Sequence, residues 1–177
     1  MLFRSKAVPL PIYIYENPKY SGISIPPGFA VRMKEQVPAL KGIKVAYGQG
    51  ALLEYVRLLP DVSVFTGNAD LFGLVPFGLA GMINPPTSFV PELCVALWKA
   101  LDTKDYAQAV VAQKRVDAAA RIVAARLRKY GRVPLQEVYR MRGFAVKRFP
   151  KWETEQMPKE EIAKLERELR DEGILGQ

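Results

Sequence analysis

Short apolar runs alternate with helical patterns four times in the first 102 residues. Runs rich in β-branched and aromatic residues predict strands at residues 9–15, 42–47, 62–66 and 81–84. Apolar residues at helical spacing predict a helix from Pro26-Pro27 onward and further helices at 51–59, 71–77 and 91–101. Residues 16–22 and 85–88 are rich in turn-forming residues and predict loops. Such alternation predicts parallel βα units, in an open sheet or in a barrel.

The pattern becomes purely helical after residue 102. A long alanine-rich helix is predicted at 105–130, a shorter one at 133–142 and a closing amphipathic helix at 158–175. Residues 147–157 read as an irregular linker. The pattern therefore predicts two regions, a βα region at 1–102 and a helical region at 103–177.

The composition restricts the chemistry that the chain can perform. Its 177 residues are 49% hydrophobic and 25% charged, as in ordinary globular proteins. The absence of histidine excludes histidine metal sites and Ser-His-Asp or Cys-His nucleophiles. The single cysteine, Cys94, excludes an internal disulfide, fits a reducing cytoplasm and is expected to be a packing residue. We find no signal-peptide pattern and no apolar run long enough to span a membrane, so we expect a cytoplasmic protein.

The net charge of +8 comes mainly from one segment. Residues 104–151 contain 13 basic residues against 3 acidic ones. A nucleic-acid-binding module is one interpretation, and its affinity would depend steeply on salt. A solvated helix surface, or an interface with acidic partners, explains the same charges more simply, because they are spread along helices with an apolar inner face.

Polar side chains occur at or near the ends of the predicted strands, where parallel α/β proteins bind ligands. Lys44 stands between Ile43 and Val45. Burial of an ammonium favours the neutral amine, which attacks carbonyl groups and forms a Schiff base, whereas a lysine at a strand end can also simply extend to water. Tyr15 could relay the protons that this chemistry needs, although a rim tyrosine of the core is the simpler interpretation. Thr66 with Gly67, and Asn84, end the other two strands and could equally be turn residues.

The order and spacing of several short motifs resemble the second half of the dihydrodipicolinate synthase / N-acetylneuraminate lyase superfamily. These motifs are Tyr15-Glu16-Asn17-Pro18-Lys19-Tyr20-Ser21-Gly22, Gly42-Ile43-Lys44, Thr66-Gly67, Gly78-Leu79-Ala80-Gly81-Met82-Ile83 and Phe89-Val90-Pro91-Glu92. The resemblance implies strands five to eight of a (β/α)8 barrel followed by a C-terminal helical appendage.

The resemblance also implies the activity and its residues. Lys44 would form a Schiff base with pyruvate or a related 2-keto acid, and Tyr15 would act as the acid/base. Thr66, Gly67 and Ile83 would lie along the pocket wall. Neither a metal nor another cofactor is expected.

Within this superfamily the chain most resembles archaeal 2-keto-3-deoxy sugar acid (gluconate) aldolases. Residues 12–15, 89–92 and 147–150 carry the likeness. Dihydrodipicolinate synthases usually have an arginine that holds the distal carboxylate of the substrate, and Tyr20 stands at the matching position. Glu16 replaces the asparagine that usually follows the tyrosine. We therefore expect an aldolase or lyase for a 2-keto-3-deoxy acid, with pyruvate and an aldehyde as partners, and keep a dihydrodipicolinate synthase-like enzyme as the alternative.

The resemblance begins at the fifth strand, so the first four βα units and the family's paired threonines have no counterpart in these 177 residues. A complete barrel needs about 250 residues. We expect a fragment or one half of a split enzyme, with little turnover by itself, that associates with the missing half or with its own copies. A homo-oligomer is expected from the family, and a non-catalytic relic or structural subunit is a further possibility.

Overall fold

The computed structural model describes residues 9–46, 49–147 and 156–176. Contacts divide the chain into two units, one of Met1–Asn84 with Leu101–Asp105 and the other of Pro85–Ala100 with Tyr106–Gln177. The grouping differs from the division predicted after residue 102, because residues 85–100 associate with the C-terminal helices. Most of the predicted linker at 147–157 lies outside the described residues.

Four parallel strands form the centre of the first unit. The strands are β1 (Ile12–Glu16), β2 (Leu40–Val45), β3 (Ser63–Thr66) and β4 (Gly81–Met82), and they lie side by side in chain order. Each adjacent pair is parallel. The prediction of an α/β fold with a parallel sheet is therefore confirmed, and this arrangement is consistent with part of a (β/α)8 barrel.

The helices of the first unit are α1 (Pro18–Ser21), α2 (Pro27–Gln36) and α3 (Gln49–Leu58), with a 3-10 turn at Val75–Phe77. Two predictions differ from this arrangement. The predicted loop at 16–22 contains α1, because Pro18 suits a first helical turn and Gly22, at φ +70°, ends it. The helix predicted at 71–77 is reduced to the 3-10 turn, which Gly78 ends at φ +98°.

The second unit is helical. It contains α4 (Pro86–Phe89), α5 (Pro91–Asp102), which continues to the first unit, α6 (Tyr106–Tyr130), α7 (Val133–Met141) and α8 (Lys159–Asp171). The loop predicted at 85–88 is instead the start of α4, since proline is compatible with a first turn. The closing helix ends at Asp171 rather than 175, because Gly173 takes φ +62° and the backbone turns there.

The sheet has two unlike faces because successive strand residues point to opposite sides. On the covered face the side chains are buried in a core with Leu52 and Tyr55 of α3. The residues of the covered face are Ile14, Glu16, Ile43, Val45, Val64 and Thr66. The open face carries side chains that are exposed or half-buried, namely Tyr13, Tyr15, Lys44 and Phe65.

Candidate active site

The two predicted catalytic residues are neighbours on the open face. Tyr15 of β1 pairs in register with Lys44 of β2, so the parallel pairing directs both side chains to the same side. The Nζ atom of Lys44 lies 4.1 Å from the centroid of the Tyr15 ring. Lys44 is half-buried rather than fully enclosed. The chain therefore brings a primary amine and a phenol together near the carboxyl ends of two parallel strands.

The hydroxyl group of Tyr15 has a partner of its own. The amide Nδ2 of Asn17 donates a hydrogen bond to the Tyr15 Oη atom over 2.7 Å. Asn17 is buried, whereas the ring of Tyr15 is half exposed. The sequence motif contained Asn17, but its contact with Tyr15 was not predicted, because it depends on the backbone conformation of Asn17 before Pro18.

Aromatic rings lie across glycines on the remainder of the open face. A Cβ atom added to Gly42 would lie 2.1 Å from the Tyr13 ring, and one added to Gly81 would lie 2.9 Å from the Phe65 ring. The centroids of the two rings are 6.2 Å apart. The rings therefore fit only because these two glycines have no side chain. They give the sheet an aromatic surface beside Lys44. The sequence analysis missed this surface, although an aromatic residue in register with a glycine signals it.

Two of the predicted substrate-binding residues border the same region. A Cβ atom added to Gly67 would be 4.0 Å from the Cε atom of Lys44, so the turn after β3 passes close to the lysine side chain. The backbone N–H of Gly67 donates to the carbonyl of Val45, which fixes this turn against β2. Ile83 is half exposed just after β4, and its N–H donates to the carbonyl of Thr66.

The structure does not bring the side chains of Thr66 and Tyr20 to Lys44. Thr66 is fully buried on the covered face, and its Oγ1 atom accepts a hydrogen bond from the Asn68 N–H over 2.9 Å. It therefore stabilises the turn that contains Gly67. Tyr20 lies on α1 with 76% of its surface exposed. No hydrogen bond or ring contact within the described residues joins Tyr20 to Lys44 or Tyr15.

Glu16, which departs from the family pattern, is buried on the covered face. Its Oε1 atom accepts hydrogen bonds from the Ser24 hydroxyl and the Ile25 N–H, at 3.1 and 3.2 Å. Its Oε2 atom has no partner among the residues that the structure describes. Glu16 thus anchors the loop before α2 and points away from the open face.

The other chemical groups do not form a competing site. Burial and the nearby charge of Glu92 raise the pKa of the Cys94 thiol to about 11, so this thiol stays protonated at neutral pH. The expectation that Cys94 is a packing residue agrees with its burial in α5. Across residues 9–46, 49–147 and 156–176, no cluster of three potential metal ligands occurs. No helix in these ranges is both long and apolar enough to cross a membrane.

Comparison with curated proteins finds relatives that include a synthase and a probable aldolase. The chain is 30% identical over 138 residues to 4-hydroxy-tetrahydrodipicolinate synthase of Rhizobium meliloti, covering 76% of this chain and 47% of the relative. It is 28% identical over 118 residues to the probable 2-dehydro-3-deoxy-D-pentonate aldolase YjhH of Escherichia coli, covering 63% and 39%. The chain thus spans less than half of these two relatives.

Solved structures share the fold over nearly the whole chain. YagE from Escherichia coli, a dihydrodipicolinic acid synthase family protein in complex with pyruvate, superimposes with a TM-score of 0.80 at 20% identity and covers 97% of this chain and 60% of its own. A variant of the Sulfolobus solfataricus 2-keto-3-deoxygluconate aldolase gives 0.81 at 19% identity and covers 99% and 61%. The dihydrodipicolinate synthetase family model matches residues 6–171. The chain belongs to the dihydrodipicolinate synthetase family.

Proposed function

We propose that this protein supplies Lys44 and Tyr15, the reactive pair of a Schiff-base aldolase that acts on 2-keto acids. The observation that carries the proposal is the position of the Lys44 amine over the Tyr15 ring on the open face. No carboxylate within the described residues lies at ion-pair distance from Lys44, so the amine is not tied to an acidic partner. A neutral lysine amine attacks a carbonyl carbon and forms a Schiff base.

The proposed reaction begins with the addition of the neutral Lys44 amine to the C2 carbonyl carbon of a 2-keto acid. The carbonyl oxygen takes up a proton and the amine loses one, which gives a carbinolamine. Protonation of the carbinolamine hydroxyl group and loss of one water molecule then form the C=N bond of an iminium ion. The iminium ion accepts the electron pair when the bond between C3 and C4 breaks, which gives an enamine. Tyr15 takes the proton of the C4 hydroxyl group, whose oxygen becomes the aldehyde carbonyl, and returns it to C3 of the enamine. Addition of water to the resulting iminium ion releases pyruvate and the Lys44 amine.

A 2-keto-3-deoxy sugar acid is the proposed substrate, with pyruvate as one product and an aldehyde as the other. The named aldolases among the relatives support this choice. The exposed ring of Tyr13 and the half-buried ring of Phe65 also favour a substrate whose tail is polar but not highly charged, since such a tail can stack on them. A dihydrodipicolinate synthase-like reaction is the alternative, supported by the synthases among the relatives.

We further propose that the four-stranded sheet is the second half of a barrel. Additional strands would extend the sheet at its two edges and complete the barrel. Strands β1 and β4 each have one neighbour in the described sheet, so each presents an unpaired edge. The exposed Tyr13 and Tyr15 rings on the open face give a second reason, because apolar surface of this kind usually contacts another segment. The additional strands would come from a further polypeptide segment or from a second copy, and would grip the carboxylate of the substrate.

The experiment that tests the proposal is trapping of the iminium ion. The full chain is incubated with pyruvate and sodium cyanoborohydride, and adducts are counted by intact mass spectrometry. We expect one dominant reduced pyruvate adduct, formed even where aldol turnover is low, because trapping needs only the amine and the keto acid. The matched control is Lys41→Arg, an exposed lysine on the same strand, which should leave the adduct unchanged. An adduct level in Lys44→Arg equal to that of the wild type would contradict the proposal.

A further inference from the structure

Asn17 is placed by local sequence to reach Tyr15. The two residues are two positions apart, so an extended backbone brings their side chains to the same side. Pro18 disfavours a helical conformation for the residue before it, and Asn17 has φ −152° and ψ 80°. The Asn17 carbonyl accepts hydrogen bonds from the N–H groups of Tyr20 and Ser21, at 3.0 and 3.1 Å, which fix its backbone. Asn17 is only 8% exposed, so its amide has little freedom.

The direction of the hydrogen bond determines what the Tyr15 hydroxyl can do. A phenol oxygen accepts hydrogen bonds and donates one through its own proton. The Asn17 amide N–H donates to the hydroxyl oxygen over 2.7 Å, and among the residues that the structure describes the hydroxyl proton has no acceptor. An acceptor at the same place would instead capture that proton.

We propose that Asn17 is a positioning residue that orients the Tyr15 hydroxyl so that its proton faces the substrate held on Lys44. The role rests on the proposed Schiff-base function and adds a residue to it. Asn17 acts through Tyr15 and needs no contact with the substrate. The position is separate from that of Glu16, whose carboxylate lies on the covered face.

The test measures proton transfer separately from iminium formation. Exchange of the pyruvate methyl protons for deuterium is followed by NMR in D2O and divided by the fraction of Lys44 that cyanoborohydride traps. We expect Asn17→Ala to lower this ratio by about tenfold, because the loss of one or two hydrogen bonds raises the barrier to proton transfer by an amount that corresponds to this factor. We expect Asn17→Asp, which keeps the size but replaces the donor by an acceptor, to lower the ratio at least as much.

The matched control is Gln113→Ala in the second unit. Gln113 is also 8% exposed and its amide donates to Asp117 over 2.8 Å, so its loss imitates the general cost of removing a buried amide. The ratio should stay within about twofold of the wild type, because an unrelated lost hydrogen bond costs stability but not proton transfer. If Asn17→Ala does not fold, Asn17→Ser takes its place, with circular dichroism as the check, and the same decrease is expected.

The outcomes separate this inference from the proposed function. Normal exchange per trapped Lys44 in Asn17→Asp, with a decrease in Asn17→Ala alone, would indicate a packing role and overturn the inference. Normal exchange in both variants would overturn it as well, while trapping on Lys44 would leave the proposed function intact. Absence of trapping in the wild type would overturn the proposed function and the inference together.

Discussion

Lys44 and Arg126 are two basic side chains that differ in their burial and in their contacts. Arg126, in α6, is 5% exposed, and its Nε donates to Glu161 at 2.9 Å. Its Nη1 and Nη2 donate to Glu168 at 2.8 and 3.1 Å, and Nη1 also donates to the Ile122 carbonyl. Lys44 is half-buried and contacts the face of the Tyr15 ring.

The difference indicates which charge serves structure and which is available for chemistry. The hydrogen bonds with Glu168 outweigh the burial of Arg126 and raise the pKa of its guanidinium. The same contacts with Arg126 hold the pKa of Glu168 below its usual value. These hydrogen bonds stabilise the packing of α6 against α8, and they occupy all three nitrogen atoms of the Arg126 guanidinium. Lys44 instead has its Nζ atom 4.1 Å from the centroid of the Tyr15 ring and makes no ion pair with the carboxylates of the described residues.

The comparison also bears on the basic segment at 104–151. The segment itself contains few acidic residues, yet two of its arginines form ion pairs with carboxylates that lie outside the segment. Arg126 pairs with Glu161 and Glu168 of α8, and Arg142 pairs with Glu92 of α5 at 2.6 Å. Charges used in this way are less available to phosphates.

The largest expected effect separates the two cations by chemistry. We expect Lys44→Arg to lower the pyruvate adduct by at least about 100-fold, because a guanidinium keeps the charge but does not form a Schiff base. Its free energy of unfolding should change by less than about 0.5 kcal/mol, since the side chain is on the open face. Mass spectrometry and urea unfolding provide the two measurements. A marked loss of stability would indicate that Lys44 is a structural cation like Arg126.

The second prediction removes the partners of Arg126. The double variant Glu161→Gln with Glu168→Gln should lower the free energy of unfolding by about 1–3 kcal/mol, because a buried guanidinium loses both of its carboxylate partners. The loss is limited because both carboxylates are partly exposed to solvent. Adduct formation at Lys44 should be unchanged. The matched control is Glu166→Gln, which removes an exposed pair with Arg170 and should cost less than about 0.5 kcal/mol. Equal losses in the two variants would contradict the structural role of Arg126.

The third prediction concerns pH. Because the pKa of Glu168 is lowered from 4.5 in the folded state, its contribution to stability is complete above pH 4.5 and is lost as the pH falls through the lowered value. The stability difference between the wild type and Glu168→Gln should therefore shrink between about pH 5 and pH 3. Urea unfolding at several pH values measures it. A difference that stays constant over this range would show that the ion pair contributes nothing.

The smallest expected effect tests the surroundings of Lys44. A Cβ atom at Gly67 would make only ordinary contacts, the nearest at 3.7 Å from the Cα atom of Ala46. We therefore expect Gly67→Ala to fold normally and to change the rate of adduct formation by less than about threefold. Trapping reactions that are stopped at successive times and analysed by mass spectrometry give this rate. A complete loss of the adduct would mean that the turn must approach the substrate more closely than the structure indicates.

The sequence predicted those features that follow from periodicity along the chain. The parallel strands and the main helices repeat at spacings of two and 3.6 residues, so their order was predictable. The side-by-side placement of Tyr15 and Lys44 followed from their positions at the ends of successive strands. These features depend on backbone geometry, which the pattern of residues largely determines.

Features that depend on side-chain direction were not predictable. Thr66 ends β3 and Lys44 is the next-to-last residue of β2, but Thr66 pairs with Val45 and not with Lys44, so Thr66 points to the covered face. The contact between Asn17 and Tyr15 depends on one backbone conformation before Pro18. Proline pairs suggested a loop at 85–88, yet the same prolines are compatible with the first turn of α4.

The central claim is that Lys44 is the lysine that carries the substrate. The most direct measurement is peptide mapping of the full chain after reduction in the presence of pyruvate, with the adduct quantified at every lysine. The account predicts that the adduct concentrates on the peptide that contains Lys44, with Lys41 and Lys34 at background level. An even distribution over the exposed lysines, with no enrichment at Lys44, would contradict it.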